Sequence, residues 1–472
     1  MVQSCKRQLR RQARYLLSLC FSRLSLIQAG DLSPTTMSAK SDANRVSDIV
    51  MYKIDLTQLR FADWVKPNEV IGWPQGPGEP LALTETLVAQ RAELSGTTLL
   101  FGLTQSTTLR PEIGDHFKFL ALNGAGTSRR VTAMADIVPS HISTMPELLR
   151  NGGLRVDVVL IQVKPLAKGG FSTGVIADFT RALIQQARVV VALVNHALPC
   201  MASDARVDPA DIDVLVDGDS RIIDMPDPMP SADEREVARR VAELIPDRAT
   251  VQLGVGTLPS AVAQALTEHR DLGVHSGVVS DVLVELVELG VVTNMHKGLD
   301  VGRTVTGGLF GTQRLRDFAE RTGLIELRSS DYTHKLAVTG AISQFHAINS
   351  AIEVDLFGQA NAEIAGGRYL GAVGGLVDFV RAGNASPGGR SILAFPSTTP
   401  DGKHSRIVAS LAGRPVTIPR SELDMVVTEF GVAQLKGCGL RERARRLIAI
   451  AHPEHRESLA RVLHDQITGL AN

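Results

Sequence analysis

Cysteine is scarce. Cys5, Cys20, Cys200 and Cys438 are the only four in a chain of 472 residues, show no C-x-x-C spacing, and are too few to staple a protein of this size. A disulfide scaffold is thereby excluded, and a reducing cytoplasm is the expected location. An excess of one charge is missing too: 50 basic residues balance 50 acidic ones, so no global field draws the molecule to nucleic acid or to an anionic membrane. No uncharged apolar run reaches the roughly 18 residues a membrane helix needs; the best stretch, near the N-terminus, is broken by Arg23. What is present is a globular composition, 44% apolar, with enough material for two or three domains and a small polar metabolite as the expected partner.

The first fifty residues stand apart. Lys6, Arg7, Arg10, Arg11, Arg14 and Arg23 all precede the first acid, Asp31, while Leu9, Leu16, Leu17, Cys20, Phe21 and Leu24 fall roughly on one helical face. An Arg-rich, acid-poor mitochondrial presequence over 1–30 is one reading. The reading favoured by the arginine bias, 39 Arg against 11 Lys, is an over-called bacterial start with Met37 or Met51 as the true one. A polar stretch over 33–48 separates this tail from patterned sequence, so 1–50 is expected to be a disordered or miscalled extension.

From Met51 onward the pattern is α/β. RVDVVLIQV (155–163) is a continuous β-branched run, VIADFTRALIQQA (175–187) has helical periodicity, and RVVVALVN (188–195) is a second buried strand. That order predicts a βαβ crossover in a parallel sheet covered on both faces. The alternation recurs as strand 249–255, helix 259–268, strand 272–278 and helix 281–290. Between the two blocks, DMPDPMPS (224–231) holds three prolines in eight residues, which suits a linker because proline continues neither regular element. Domains over 51–226 and 232–472 are expected. The second half turns to short strand-like segments and a mixed sheet, closed by an amphipathic helix at 440–450.

Two glycine-rich segments could carry chemistry. QLGVGTLP (252–259) places Gly254 and Gly256 straight after a strand, with Pro259 in the predicted first helical turn. Backbone N–H groups there could cradle an oxyanion or a phosphate. A dinucleotide site would need a third glycine where Pro259 stands and an acid where the next strand reads His275-Ser276-Gly277, so a nicotinamide cofactor is not expected. GGRYLGAVGG (366–375) supplies Gly371, Gly374 and Gly375, whose entropic cost suggests close approach to a ligand. Lys403, His404 and Arg406 form a compact basic group suited to phosphates. His452 and His455 read as a solvated helix face, so no metal site is expected.

In this order the segments resemble the acetyl-CoA hydrolase and CoA-transferase family, which includes 4-hydroxybutyrate CoA-transferase. The resemblance spans about 51–460 and rests on VNHALP (194–199), VQLGVGTLP (251–259), DLGVHSG (271–277), GVVTN (290–294), AINSAIEVDLFGQANAE (347–363), GAVGGLVDF (371–379), STTPDGKHSRIV (397–408), VVTEFGVAQLKG (426–437) and IAHPEHRE (450–457). It implies two open α/β domains of the CoA-transferase (NagB/RpiA-like) type with the active site in the cleft between them. It also implies acyl-CoA as substrate, coenzyme A as product, a small carboxylate as a potential acceptor, and no bound cofactor. Gly254, Gly256, Asn349, Gly371, Gly374, Gly375, Lys403 and Arg406 become the candidate CoA and substrate contacts, and homo-oligomer formation is a family-level expectation.

The resemblance breaks at its centre. The family carries its nucleophilic glutamate at the position where this chain has Gly277, and Leu193 replaces an acid that often precedes Val-Asn. A Ser276–His275 dyad is disfavoured because neighbours on a strand point to opposite faces. His275 shares a face with Gly277, so a water in the space left by the missing side chain could be activated by His275, favouring hydrolysis over transfer. Glu353, Asp355 and Glu429 read as supporting residues, and Glu363 as a backup carboxylate. Two hypotheses result: a hydrolase or transferase of short acyl-CoA thioesters such as acetyl-CoA, or a CoA-ester-binding protein with little turnover.

Overall fold

The computed structural model describes residues 51–469 apart from 202, 219, 220 and 255; the expectations about 1–50 lie outside the described residues. Two large sheets organise the chain. The first orders its main strands Tyr52–Asp55, Val214–Asp217, Val189–Val194, Val158–Pro165, Val70–Gly72, Thr98–Phe101, Lys118–Ala121 and Ala135–Ile137, every neighbouring pair on this path parallel, and the short strands Phe171–Ser172 and Arg206–Val207 pair antiparallel beside Val158–Pro165. The continuous apolar runs of the sequence follow from burial on both faces: Val158 and Leu160 join one core cluster with Leu83 and Leu87, while Val159, Ile161 and Val163 join another with Leu149, Ala182 and Leu183.

The second sheet runs Ile325–Leu327, Thr304–Leu309, Gly273–Val279, Thr250–Leu253, Phe345–Asn349, Arg390–Ala394, Met425–Thr428 and Gly431–Gln434. It is parallel until the closing antiparallel hairpin. Helices Ala232–Ala242, Thr257–Ala265, Val282–Glu288 and Gln313–Thr322 contribute to the core on one side, and Leu376–Ala385 and Leu440–Ile450 to the smaller clusters on the other. The residues at 224–231 form no regular element before Ser231 caps Ala232–Ala242 through a capping box with Glu234.

One expected element is shorter than its periodicity. The helix read over 175–187 begins at Thr180, because the preceding residues are drawn onto the second sheet. Ile176 bridges Gly308, and the Ala177 and Asp178 amides donate to the Gly307 carbonyl at 2.8 and 3.2 Å. Those backbone bonds outcompete one additional helical turn.

Candidate active site

The sheets meet where the glycines cluster. Gly124 N–H donates to the Gly371 carbonyl at 2.9 Å, Ile142 N–H to the Gly374 carbonyl at 3.0 Å, and Ser143 Oγ to Asp378 Oδ1 at 2.6 Å. A Cβ on Gly371 would lie 1.9 Å from the Ala362 carbonyl oxygen, and one on Gly124 2.4 Å from that of Tyr369. At these positions the close approach that requires glycine is made by the protein's own backbone. Gly374, at φ +50°, and Gly375 then lead into Leu376–Ala385, with Gly375 as N-cap.

Strand Gly273–Val279 outruns its neighbour Thr250–Leu253: paired register ends at Val251 opposite Val274. Gly277 and Val278 therefore project past the end of that strand, and both are partly exposed, as are Leu253 and Gly254. Ser276 points to one side, where its Oγ donates to the Leu253 carbonyl at 2.8 Å. His275 and Gly277 point to the other, as the strand period requires.

His275 is fully buried, with Nε2 3.1 Å from the Thr333 carbonyl. Burial, reinforced by the Lys297 charge, pushes its pKa down to about 3. Nε2 is thus tied to a backbone oxygen, while the buried Nδ1 has no hydrogen-bond partner among the described residues. Nor is the space beside Gly277 empty: a Cβ on Gly277 would meet Nε2 of His334 at 2.8 Å, and one on Gly375 would meet the same atom at 2.7 Å. The His334 ring occupies the slot between the two glycines, 4.6 Å centroid to centroid from Phe379. Only 6% of its surface is exposed. Its Nδ1 lies 2.8 Å from Thr333 Oγ1, and burial, then the nearby His275, lower its pKa to about 3. Sequence reasoning passed over His334 because SDYTHKL (330–336) resembles no motif; a buried histidine facing two glycines becomes visible only in three dimensions.

The other candidates divide. Asn349 and Gln252 exchange side-chain hydrogen bonds at 2.9 and 3.3 Å, and Asn349 Oδ1 is 3.6 Å from where a Gly254 Cβ would stand. Gly256, at φ +118° with open space around it, caps Thr257–Ala265. Glu363 is buried and accepts from Thr417 Oγ1 at 2.7 Å in the turn beside Gly371. Glu353 accepts from Asn361 and pairs with Arg414, Asp355 holds its own turn, and Glu429 accepts from Ser397. Lys403 is exposed on a turn organised by Asp401. Arg406 donates to the carbonyls of Ile352 and Ala351 and stacks 4.9 Å from the Phe395 ring. The His452 ring packs against Phe430 and lies 5.9 Å, centroid to centroid, from that of His455.

Two buried acids near the junction were also missed. Asp178 accepts from Thr180 N–H, Thr180 Oγ1 and Gln75 Nε2 at 3.0, 2.8 and 3.2 Å, while burial raises its pKa to about 6. Glu79, also pushed upward by burial, accepts from the hydroxyls of Thr84, Thr104 and Ser106. It thereby anchors the loop around Gln105.

A cavity of about 610 Å³ opens on the Ser276 side of the strand. Val251, Val274, Val278 and Leu283 supply apolar walls, Gly254 and Gly256 one rim, and Gln105 and Gly126 from the first sheet's loops another. Its size lies within the range of small-molecule sites. It is on the opposite face from the Gly277–His334–Gly375 slot, and the end of Thr250–Leu253 lies between them. Among the described residues no helix is long and apolar enough to cross a membrane.

The family model described as acetyl-CoA hydrolase/transferase N-terminal domain matches residues 56–225, and that of the C-terminal domain matches 311–463. Gly254, Gly256, His275 and Gly277 lie between the two matches. The 4-hydroxybutyrate coenzyme A transferase of Clostridium kluyveri is 39% identical over 388 residues, 81% of this chain and 90% of that protein. The structure of RipA from Yersinia pestis aligns with a TM-score of 0.82 at 29% identity, over 88% of this chain and 97% of that one. The 4-hydroxybutyrate CoA-transferase of Porphyromonas gingivalis gives a TM-score of 0.75 at 32% identity, over 88% and 98%.

Proposed function

This chain belongs to the acetyl-CoA hydrolase/transferase family, and we propose that it cleaves a short acyl-CoA thioester at the edge of strand Gly273–Val279. The carrying observation is the meeting, past the end of Thr250–Leu253, of a ligand-sized cavity on one face and a glycine-walled slot on the other. The acyl and pantetheine groups lie along the Gly254–Gly256 rim, with Asn349 beside it. The thioester carbonyl faces Gly374 and Gly375, where the N-terminal end of Leu376–Ala385 stabilises a developing oxyanion.

Coenzyme A enters as substrate and leaves as product, without a resident cofactor or metal. Lys403 is free to meet phosphates; Arg406, committed to backbone carbonyls, shapes that wall instead. Glu363, hydrogen-bonded to Thr417, supports the glycine turn. We place the protein in a reducing cytoplasm, consistent with free Cys200 and Cys438, and expect residues 51–226 and 232–472 to act as the two domains flanking the site.

The test is release of free CoA thiol from acetyl-, butyryl- and 4-hydroxybutyryl-CoA, with and without acetate or succinate. Turnover of at least one ester with saturable kinetics supports the reading. Absence of both turnover and stabilisation of the fold by CoA would sink it.

A further inference from the structure

Gly277 and His334 form one arrangement. Restoring a side chain at 277 would drive its Cβ to 2.8 Å from His334 Nε2, so the imidazole and a glutamate at 277 compete for the same space. Thr333 sits in a short helix, where its hydroxyl reaches the Ser329 carbonyl at 3.4 Å, the usual back-bond of a helical threonine. Thr333 Oγ1 also lies 2.8 Å from Nδ1 of His334; when the hydroxyl proton is directed to Ser329, Oγ1 accepts from Nδ1–H. The lone pair then lies on Nε2, for which no protein hydrogen bond is formed among the described residues and which faces both glycines.

Resting on the acyl-CoA reading above, we infer that His334 replaces the missing carboxylate as the catalytic base and that the protein is therefore a hydrolase. Nε2 takes a proton from a water whose oxygen bonds to the thioester carbon. The C–S bond breaks, and the proton passes from Nε2 to the departing sulfur, giving the free acid and CoA thiol with no further reactant. In the substrate-free site burial holds His334 neutral, leaving its lone pair available. The oxyanion forming beside it favours the protonated imidazole at the moment of transfer. The titratable neighbour is His275, neutral and bound to the Thr333 carbonyl.

The test follows CoA release without acceptor in the wild type, His334→Ala, His334→Gln, which fills the slot but cannot act as a base, and the double variant Gly277→Glu/His334→Ala. The inference expects acceptor-independent turnover in the wild type. Both single variants should lose at least 100-fold in kcat while KM and stabilisation by CoA stay within threefold, and the double variant should recover CoA release only when acetate or succinate is added. Hydrolysis within threefold of wild type in His334→Gln would overturn it. So would a wild type that releases CoA only to an acceptor. Stabilisation by CoA without wild-type turnover overturns the role of His334 while leaving the binding site standing; loss of both would show that the acyl-CoA reading itself has failed.

Discussion

The two faces of strand Gly273–Val279 differ in what they tolerate. On the Ser276 side, Val274 and Val278 border an apolar cavity of about 610 Å³. On the Gly277 side, the His334 and Phe379 side chains are so close that Gly277 and Gly375 have no space for a methyl group. That cavity is therefore not on the face to which Gly277 points. Room admits the bulk of a ligand, whereas close packing fixes reacting groups within fractions of an ångström.

Substitutions on the packed side should have the largest effects. Gly371→Ala sets a Cβ against the Ala362 carbonyl, a backbone atom that cannot swing aside; a loss of roughly 3 to 5 kcal/mol in urea unfolding is expected. A loss below 1 kcal/mol would mean that the junction is looser than its geometry.

Buried titratable groups come next, with opposite signs. Asp178 ionises near 6 in the fold against 3.8 when free, so its stabilising contribution is complete below about pH 4 and disappears as the pH rises through 6. His275 ionises near 3 against 6.5; its contribution is complete above 6.5 and is lost as the pH falls towards 3. Asp178→Asn should flatten the stability change between pH 4 and 7 by about 1 to 3 kcal/mol. His275→Gln, which retains a donor for Thr333, should move acid unfolding to lower pH. Unchanged pH profiles in both variants would show that neither group is sealed from water.

Gly277→Ala presses on the end of a side chain rather than on backbone, so a smaller cost of about 1 to 2 kcal/mol is expected, with a larger fall in turnover as His334 is displaced. The open face should be most forgiving. Val278→Phe has the cavity to enter, and a stability change under about 1 kcal/mol is expected, together with weaker stabilisation by CoA esters. A large destabilisation there would erase the contrast between the faces.

Much of the fold was legible because its signals are local. Double-faced burial wrote the runs at 158–165 and 189–194 into the chain, and Leu440–Ile450 coincides with its amphipathic segment. The glycine clusters were legible as candidates, but not what each glycine approaches: Gly371 meets the protein's backbone and Gly375 a histidine. His275 was singled out for sharing a face with Gly277, which periodicity alone can establish. That its Nε2 is held by Thr333 depends on a helix contributed by a distant segment.

The sequence by itself determined the α/β pattern, the family motifs in their order, and the absence of a carboxylate at 277, because strand period, helix period and motif spacing are properties of neighbours along the chain. Only the tertiary structure decided that Val175–Phe179 leaves its helix for the second sheet, that Arg406 is occupied by carbonyls, and that His334 fills the slot beside Gly277. These outcomes depend on which backbone and side-chain groups compete for the same space and hydrogen bonds once the sheets dock, and no local pattern carries that information.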